Sequence, residues 1–209
     1  MGSSEPKTPR DPKLKGKRIA VKAGAVFEMP VPDGRRGYGI IIVGGGVPYV
    51  VILKTLHEKR PPLPDLDSDE IALVGWTMDS LIYHGRWTII GTDNGPPRDV
   101  PFPNFRVNVA GVLQTTDFQG KVIGPSRPDE IALLDNQFSS SPSIYQDALM
   151  ALNGIGEWKS HFDKLLPEYA RARMTRRSDE TRQEKVDDRN YQSGHRRLDL
   201  RTLARRLLS

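Results

Sequence analysis

Carboxylates are the side chains whose spacing points most clearly to a functional surface in this sequence. Asp65, Asp67, Asp69 and Glu70 stand close together between a proline-rich stretch and an apolar run, and Asp79 follows that run. Such a cluster is either a solvated loop or a negative patch that meets a basic partner and steers its approach. We take these five residues as the candidate partner-binding site.

The sequence lacks the patterns that common catalytic sites need. Gly44–Gly46 is not followed by the Gly-Lys-[Ser/Thr] of a phosphate loop, and Gly37-Tyr38-Gly39 lacks the third glycine of a dinucleotide site. Turns and close strand packing explain both groups more simply. No His-Glu-x-x-His or Gly-x-Ser-x-Gly occurs, and the four histidines lie in separate segments. We therefore expect a protein that is not an enzyme and that has neither cofactor nor metal.

Charge is distributed unevenly along the 209 residues, whose formal net charge is +5. Residues 1–18 hold six basic and two acidic side chains, and residues 168–209 hold twelve and seven. The part between them holds thirteen basic and seventeen acidic side chains, so the expected globular body is mildly acidic. Any contact with nucleic acid would therefore be made by the tails.

Cysteine is absent and no apolar run approaches the length of a membrane span. A disulfide framework is thereby excluded. A transmembrane segment is not expected, and the prediction is a cytoplasmic protein whose oligomeric state is open.

The stretch from Gly24 to Leu53 organises the predicted fold. An apolar residue occupies every second position from residue 25 to residue 31, with Val26, Glu28 and Pro30 between them, and this period of two is typical of a half-buried strand. Pro32-Asp33-Gly34 has the composition of a turn. Residues 40–43 and 47–53 are apolar on both faces, as in central strands, and three glycines join them. We predict a three-stranded meander.

The fold class predicted from the whole chain is mainly β (α+β), as a twisted antiparallel sheet or a small barrel. Further strands are expected at residues 71–76, 86–90 and 105–109, and a hairpin is expected at residues 112–123. Met78–Tyr83 fits either a strand or one helical turn. Two proline-rich loops, at residues 57–68 and 94–103, are either spacers or rigid recognition surfaces.

Helical patterns come late in the chain. Ser141-Pro142 predicts the start of a helix that Asn153-Gly154 ends, and a second amphipathic segment runs from Trp158 to Tyr169. We expect a disordered basic tail at 1–18, a β-rich domain at 19–167 and a charged extension at 168–209. Leucines at 200, 203 and 207 give the end of that extension the spacing of a short amphipathic helix.

Part of the chain resembles a known family. The pattern Gly24-x-Val26-Phe27-x-x-Pro30-x-x-Asp33-Gly34-x-x-Gly37-Tyr38-Gly39-x-Ile41, followed by Arg86-Trp87-x-Ile89-Ile90-Gly91, is similar to the immunity protein 26 family of bacterial polymorphic toxin systems. The resemblance covers roughly residues 20 to 110. It implies a β-rich protein, without enzymatic activity, that neutralises a toxin encoded beside it.

The function expected from these observations is binding. A cognate toxin domain, expected to be basic, would be inactivated by occlusion, which needs shape complementarity and a few anchoring residues. The alternative is a small β-barrel module that associates with nucleic acid through its basic tails. The core aromatic residues Phe27 and Trp87 are expected to support the fold rather than contact a partner.

Overall fold

Two antiparallel sheets form the framework of the protein. The computed structural model describes residues 21–95 and 98–174. The larger sheet has the strand order β4-β3-β2-β1-β5, and the smaller has the order β6-β7-β8. No closed barrel occurs within these ranges, so the twisted-sheet form of the predicted α+β fold is the correct one. The strands are β1 Ala25–Pro30, β2 Arg36–Val43, β3 Tyr49–Leu53, β4 Ile71–Trp76, β5 Thr88–Thr92, β6 Phe105–Val109, β7 Val112–Thr116 and β8 Val122–Pro125.

Helices are short, and most of them follow the strands along the chain. They are α1 Ser80–Tyr83, α2 Pro128–Leu133, α3 Pro142–Leu152 and α4 Pro167–Arg171, with 3-10 helices at Leu63–Ser68 and Ser160–Leu165. The ambiguous stretch at Met78–Tyr83 thus contains a single helical turn. The second amphipathic segment is split into the later 3-10 helix and α4, because Pro167 lacks the N–H that would continue a helix.

The predicted meander is confirmed as β1, β2 and β3. β1 pairs with β2 so that Phe27 lies opposite Gly39. A Cβ atom on Gly39 would lie 2.4 Å from the Phe27 ring and 2.8 Å from the Val51 carbonyl oxygen. Glycine is therefore needed here for close strand packing, as predicted. At the turn, the Asp33 carboxylate accepts a hydrogen bond from the Arg35 N–H, and Gly34 has a φ of 88°.

The larger sheet buries apolar side chains on both of its faces. On one face, Phe27 and Trp87 stack with ring centroids 4.9 Å apart, under Tyr145 and Leu149 of α3. The helix predicted from Ser141-Pro142 therefore covers this face. Ser141 does not cap it with a side-chain hydrogen bond, however, because its hydroxyl pairs with that of Ser143.

The other face of the larger sheet is covered by the two proline-rich segments. Leu63 and Leu66 of the first 3-10 helix, with Val100 and Phe102, pack on a cluster that includes Tyr38 and Tyr49 of the sheet. These segments thus complete the hydrophobic core, and are not simply spacers between strands. Their positions also fix the loops that carry the acidic residues.

The packed body continues past residue 167, where the composition predicts its end. Ala170 of α4 is 4% exposed, and the Asn104 N–H donates to the Arg173 carbonyl oxygen at 2.9 Å. The composition does not reveal this packing, because the few packed residues lie in a part of the sequence that is rich in charge. The predicted disorder of residues 1–18 and the predicted helix at 198–208 lie outside the described residues.

Candidate partner-binding cleft

The acidic cluster borders an open cleft of about 600 Å³. Its walls come from the end of the first 3-10 helix, the start of β4, the loop at residues 98–99, the C-terminal end of α3, and α4. The lining residues are Lys54, Asp67, Asp69, Glu70, Ile71, Ala72, Arg98, Asp99, Leu152, Leu166, Pro167, Glu168 and Arg171. We refer to this surface as the acidic cleft.

The cleft contains three of the five residues that the sequence predicts as a site. Asp67, Asp69 and Glu70 line it, and Asp65 lies exposed on the adjoining 3-10 helix. Asp79 does not join them. It lies beyond the other end of β4, a six-residue strand about 20 Å long. Its N–H donates to the Gly46 carbonyl oxygen at that end of the sheet.

A buried leucine and a largely buried arginine hold the acidic residues of the 3-10 helix in place. Leu66 is 2% exposed, and it accepts a hydrogen bond from the Asp69 N–H at 3.1 Å. The Arg98 guanidinium donates to the Leu66 carbonyl oxygen at 2.7 Å and to that of Asp69 at 3.0 Å. Arg98 therefore shapes the cleft wall. Sequence reasoning missed it, since it lies almost 30 residues away in the second proline-rich segment.

Two ion pairs at the rim of the cleft are open to solvent. Lys54 Nζ lies 2.7 Å from Glu70 Oε2, and Arg171 Nη1 lies 2.8 Å from Asp99 Oδ2. The hydrogen bond to Glu70 raises the pKa of Lys54. Exposed pairs of this kind contribute little to stability, and their members can exchange partners readily. The rim carboxylates thus remain usable by an incoming cation.

Asp69 differs from the other acids because its side chain is only 8% exposed. Oδ1 accepts a hydrogen bond from the Thr55 hydroxyl at 2.7 Å, and Oδ2 lies 3.8 Å from His57 Nε2 without a hydrogen bond. The Thr55 hydroxyl donates to the carboxylate and not to the imidazole, so these residues do not form a nucleophile–histidine–acid relay. The arrangement supports the loop and supplies negative potential behind the rim.

The net charge of the cleft lining is negative. It contains five carboxylates against three cationic side chains. Glu168, which the sequence did not single out, is exposed and has no ion pair among the described residues. Apolar surface lies between the charges, from Ile71, Leu166 and the 41%-exposed Leu152. A negative rim around apolar surface suits a basic partner that also carries apolar side chains.

Two apolar surfaces lie elsewhere on the body. Val47, Trp76 and Phe138 line a shallow concavity at the far end of β4, near Met78. The smaller sheet exposes valines on one face, at 38% for Val107 and 51% for Val112. Neither surface brings carboxylates together as the cleft does.

Metal binding and membrane spanning find no support in the residues described. Within 21–95 and 98–174, no three histidine or carboxylate side chains are grouped closely enough to hold a metal ion. No helix in these ranges has the length and apolar character needed to cross a bilayer.

Comparison with known proteins identifies one family. Residues 22–112 match the family described as Immunity protein 26, or Imm26, which is somewhat less than half of the chain. No curated protein and no solved structure matches the chain. The matched part contains the whole larger sheet and one wall of the cleft, whereas Leu152, Leu166 and α4 lie outside it. The β-rich segment of residues 22–112 is therefore similar to the immunity protein 26 family, as the sequence pattern indicates.

Proposed function

We propose that this protein is a bacterial immunity protein that binds a cognate toxin domain and inactivates it by occlusion, with the acidic cleft as the main docking surface. The family match of residues 22–112 supports an immunity function against toxins. The observation that carries the choice of surface is the negative cleft, where five carboxylates surround apolar side chains. The proposed partner is a basic toxin domain of a polymorphic toxin system.

The mechanism requires binding and no chemical step. Lysine or arginine side chains of the toxin would displace Lys54 and Arg171 from their solvent-exposed ion pairs and contact Glu70, Asp99 and Glu168. Desolvation at the apolar wall then stabilises the complex, and the charges mainly accelerate association. The proposed site of action is the cytoplasm, with which a cysteine-free chain is compatible.

The nucleic-acid alternative receives no support from the described residues. Phosphate binding requires clustered lysine and arginine, whereas the acidic cleft has more carboxylates than cations. Most of the two basic tails on which that alternative depends, residues 1–18 and 175–209, lies outside the described residues.

Charge reversal at the exposed rim tests the proposal. The variant Asp65→Lys/Glu70→Lys/Glu168→Lys changes three exposed acids and leaves Asp69 and Arg98 untouched. A matched control, Glu58→Lys/Asp147→Lys/Glu157→Lys, makes the same charge change at exposed positions that do not line the cleft. Association with the toxin domain encoded beside this protein is measured by stopped flow at several salt concentrations.

We expect the rim variant to associate about tenfold or more slowly at low salt, with a flatter salt dependence, because electrostatic steering raises on-rates by 10-fold or more. The control should keep most of the wild-type rate, and both variants should melt as wild type does. Equal slowing of the two variants would mean that overall charge, and not the cleft, governs association.

A further inference from the structure

We propose that the C-terminal segment of this same chain, residues 196–208, docks in the acidic cleft and competes there with the toxin; the competition, though not the docking, rests on the proposed function. Three features point to this occupant. These are the place where the described chain ends, the charge of the segment, and the spacing of its leucines.

The chain leaves the described structure beside the cleft. Pro167, Glu168 and Arg171 of α4 line the cleft, and the last described residue is Met174. Residues 175–195 connect that point to the segment, and an extended chain of this length spans up to about 70 Å. The cleft therefore lies well within reach, and docking is intramolecular, so that a weak contact suffices to populate it.

Charge complementarity favours the cleft over other surfaces. Residues 195–209 contain five arginines and one aspartate, and the cleft lining has five carboxylates. Exposed carboxylates such as Glu70 and Glu168 can each accept paired hydrogen bonds from a guanidinium group. The segment thus provides the positive charge that the rim lacks.

The apolar residues of the segment also match the cleft. Leu200, Leu203 and Leu207 have the i, i+3, i+7 spacing of one helical face. An isolated helix of this length is marginal in water, so its leucines need cover. Leu152, which is 41% exposed at the end of α3, and Ile71 supply apolar surface between the acids. Recognition of a short amphipathic helix in a groove has this form.

The valine face of the smaller sheet is the main competing site. It offers apolar surface at Val109 and Val112, which are 47% and 51% exposed. Strands β6, β7 and β8 contain no carboxylate, however, and Arg106 is their single charged residue. The strands of that sheet therefore offer no carboxylate to the arginines of the segment, so the cleft is the favoured surface.

The absence of cysteine permits a direct test in the full chain. Thr202→Cys introduces the single thiol, which is coupled to a nitroxide label, and paramagnetic broadening is measured at backbone amides. We expect broadening at Glu70, Ile71 and Leu152. The matched control carries the same label together with Arg201→Glu, Arg205→Glu and Arg206→Glu. Broadening that remains in this control arises because the connecting residues keep the label near the body, whether or not the segment docks.

Broadening at the cleft that falls at least twofold in the control supports docking. Broadening at Val109 and Val112, or equal broadening of the cleft in both chains, overturns it. No toxin is present in this measurement, so its outcome is independent of the proposed function.

Competition is measured separately with the toxin domain. If the segment occupies the cleft more than half of the time, deletion of residues 195–209 must raise the apparent toxin affinity at least twofold. An unchanged or reduced affinity overturns the competition. Failure of the full and shortened chains alike to bind the toxin, with cleft broadening still present, would reject the proposed function and leave the docking intact.

Discussion

At the scale of single residues, the stacked pair Phe27–Trp87 anchors the core. Both side chains are almost completely buried, and Trp87 Nε1 donates to Gln146 at 3.2 Å. We expect Phe27→Ala and Trp87→Ala each to lower the free energy of unfolding by ~3–5 kcal/mol, because each opens a large cavity. Urea denaturation measures the loss.

Tyr83→Ala is the matched control for this pair. Tyr83 is 48% exposed, so removing its ring should change the free energy of unfolding by less than ~0.5 kcal/mol. Near-wild-type stability of Trp87→Ala together with loss of partner binding would instead make Trp87 a contact residue.

Glu28 gives the body an acid-sensitive interaction. Hydrogen bonding to Arg60 lowers the pKa of Glu28 below its ordinary value of 4.5, and the Tyr38 hydroxyl acts in the same direction against partial burial. A lowered pKa in the folded state means that protonation favours unfolding. The stabilisation is therefore complete above pH 4.5 and is lost as the pH falls through the folded-state pKa.

Glu28→Gln should remove this pH dependence. We expect it to cost about 1 kcal/mol at neutral pH, since Arg60 is half exposed, and progressively less as the pH falls through the folded-state pKa of Glu28. Chemical denaturation of both proteins across this range checks the convergence. If the free energies of unfolding of the two proteins instead changed in parallel with pH, Glu28 would not be the source of the pH dependence.

At the scale of elements, α4 determines where the body ends. The Tyr169 hydroxyl donates to Asp135, and Arg173 lies over the Tyr169 ring. The first contact ties α4 to the loop before α3, and the Asn104 N–H, next to β6, donates to the Arg173 carbonyl oxygen just after α4. A chain that stops at residue 167 should lose about 2 kcal/mol, or about 4–8 °C in Tm, relative to one that stops at residue 174.

Thermal melts of the two shortened chains test this boundary. Limited proteolysis of the full chain should leave a protected fragment that ends near residue 174. Equal melting temperatures would place α4 outside the cooperative unit and restore the boundary at residue 167.

The order of the elements could be predicted because their patterns are local. Alternation in β1, the Pro32–Gly34 turn and the apolar runs of β2 and β3 lie within thirty residues, and α3 has a proline at its start and a glycine after its end. The two-sheet arrangement could not be predicted, because β6–β8 show the same alternation as any other strands. Their separation depends on long-range contacts, such as the one between Arg106 and the Ile131 carbonyl oxygen.

Only part of the candidate site could be predicted, because its other residues come together through long-range contacts. Asp67, Asp69 and Glu70 are neighbours in sequence, so their clustering was visible. Asp79 was grouped with them by sequence distance, although a strand of about 20 Å separates it in space. Leu152 and Glu168 reach the cleft through folding alone, and no local pattern marks them.

At the scale of the whole molecule, the central claim is that an acidic cleft on a β-rich body receives a basic toxin. Hydrogen–deuterium exchange of the chain lacking residues 195–209, alone and with its toxin domain, tests this most directly. We predict that toxin binding slows exchange in residues 65–72 and 166–171, which include most of the residues that line the cleft. Slowed exchange confined to β6–β8 or to the concavity at Val47 and Phe138, with the cleft unchanged, would contradict the account.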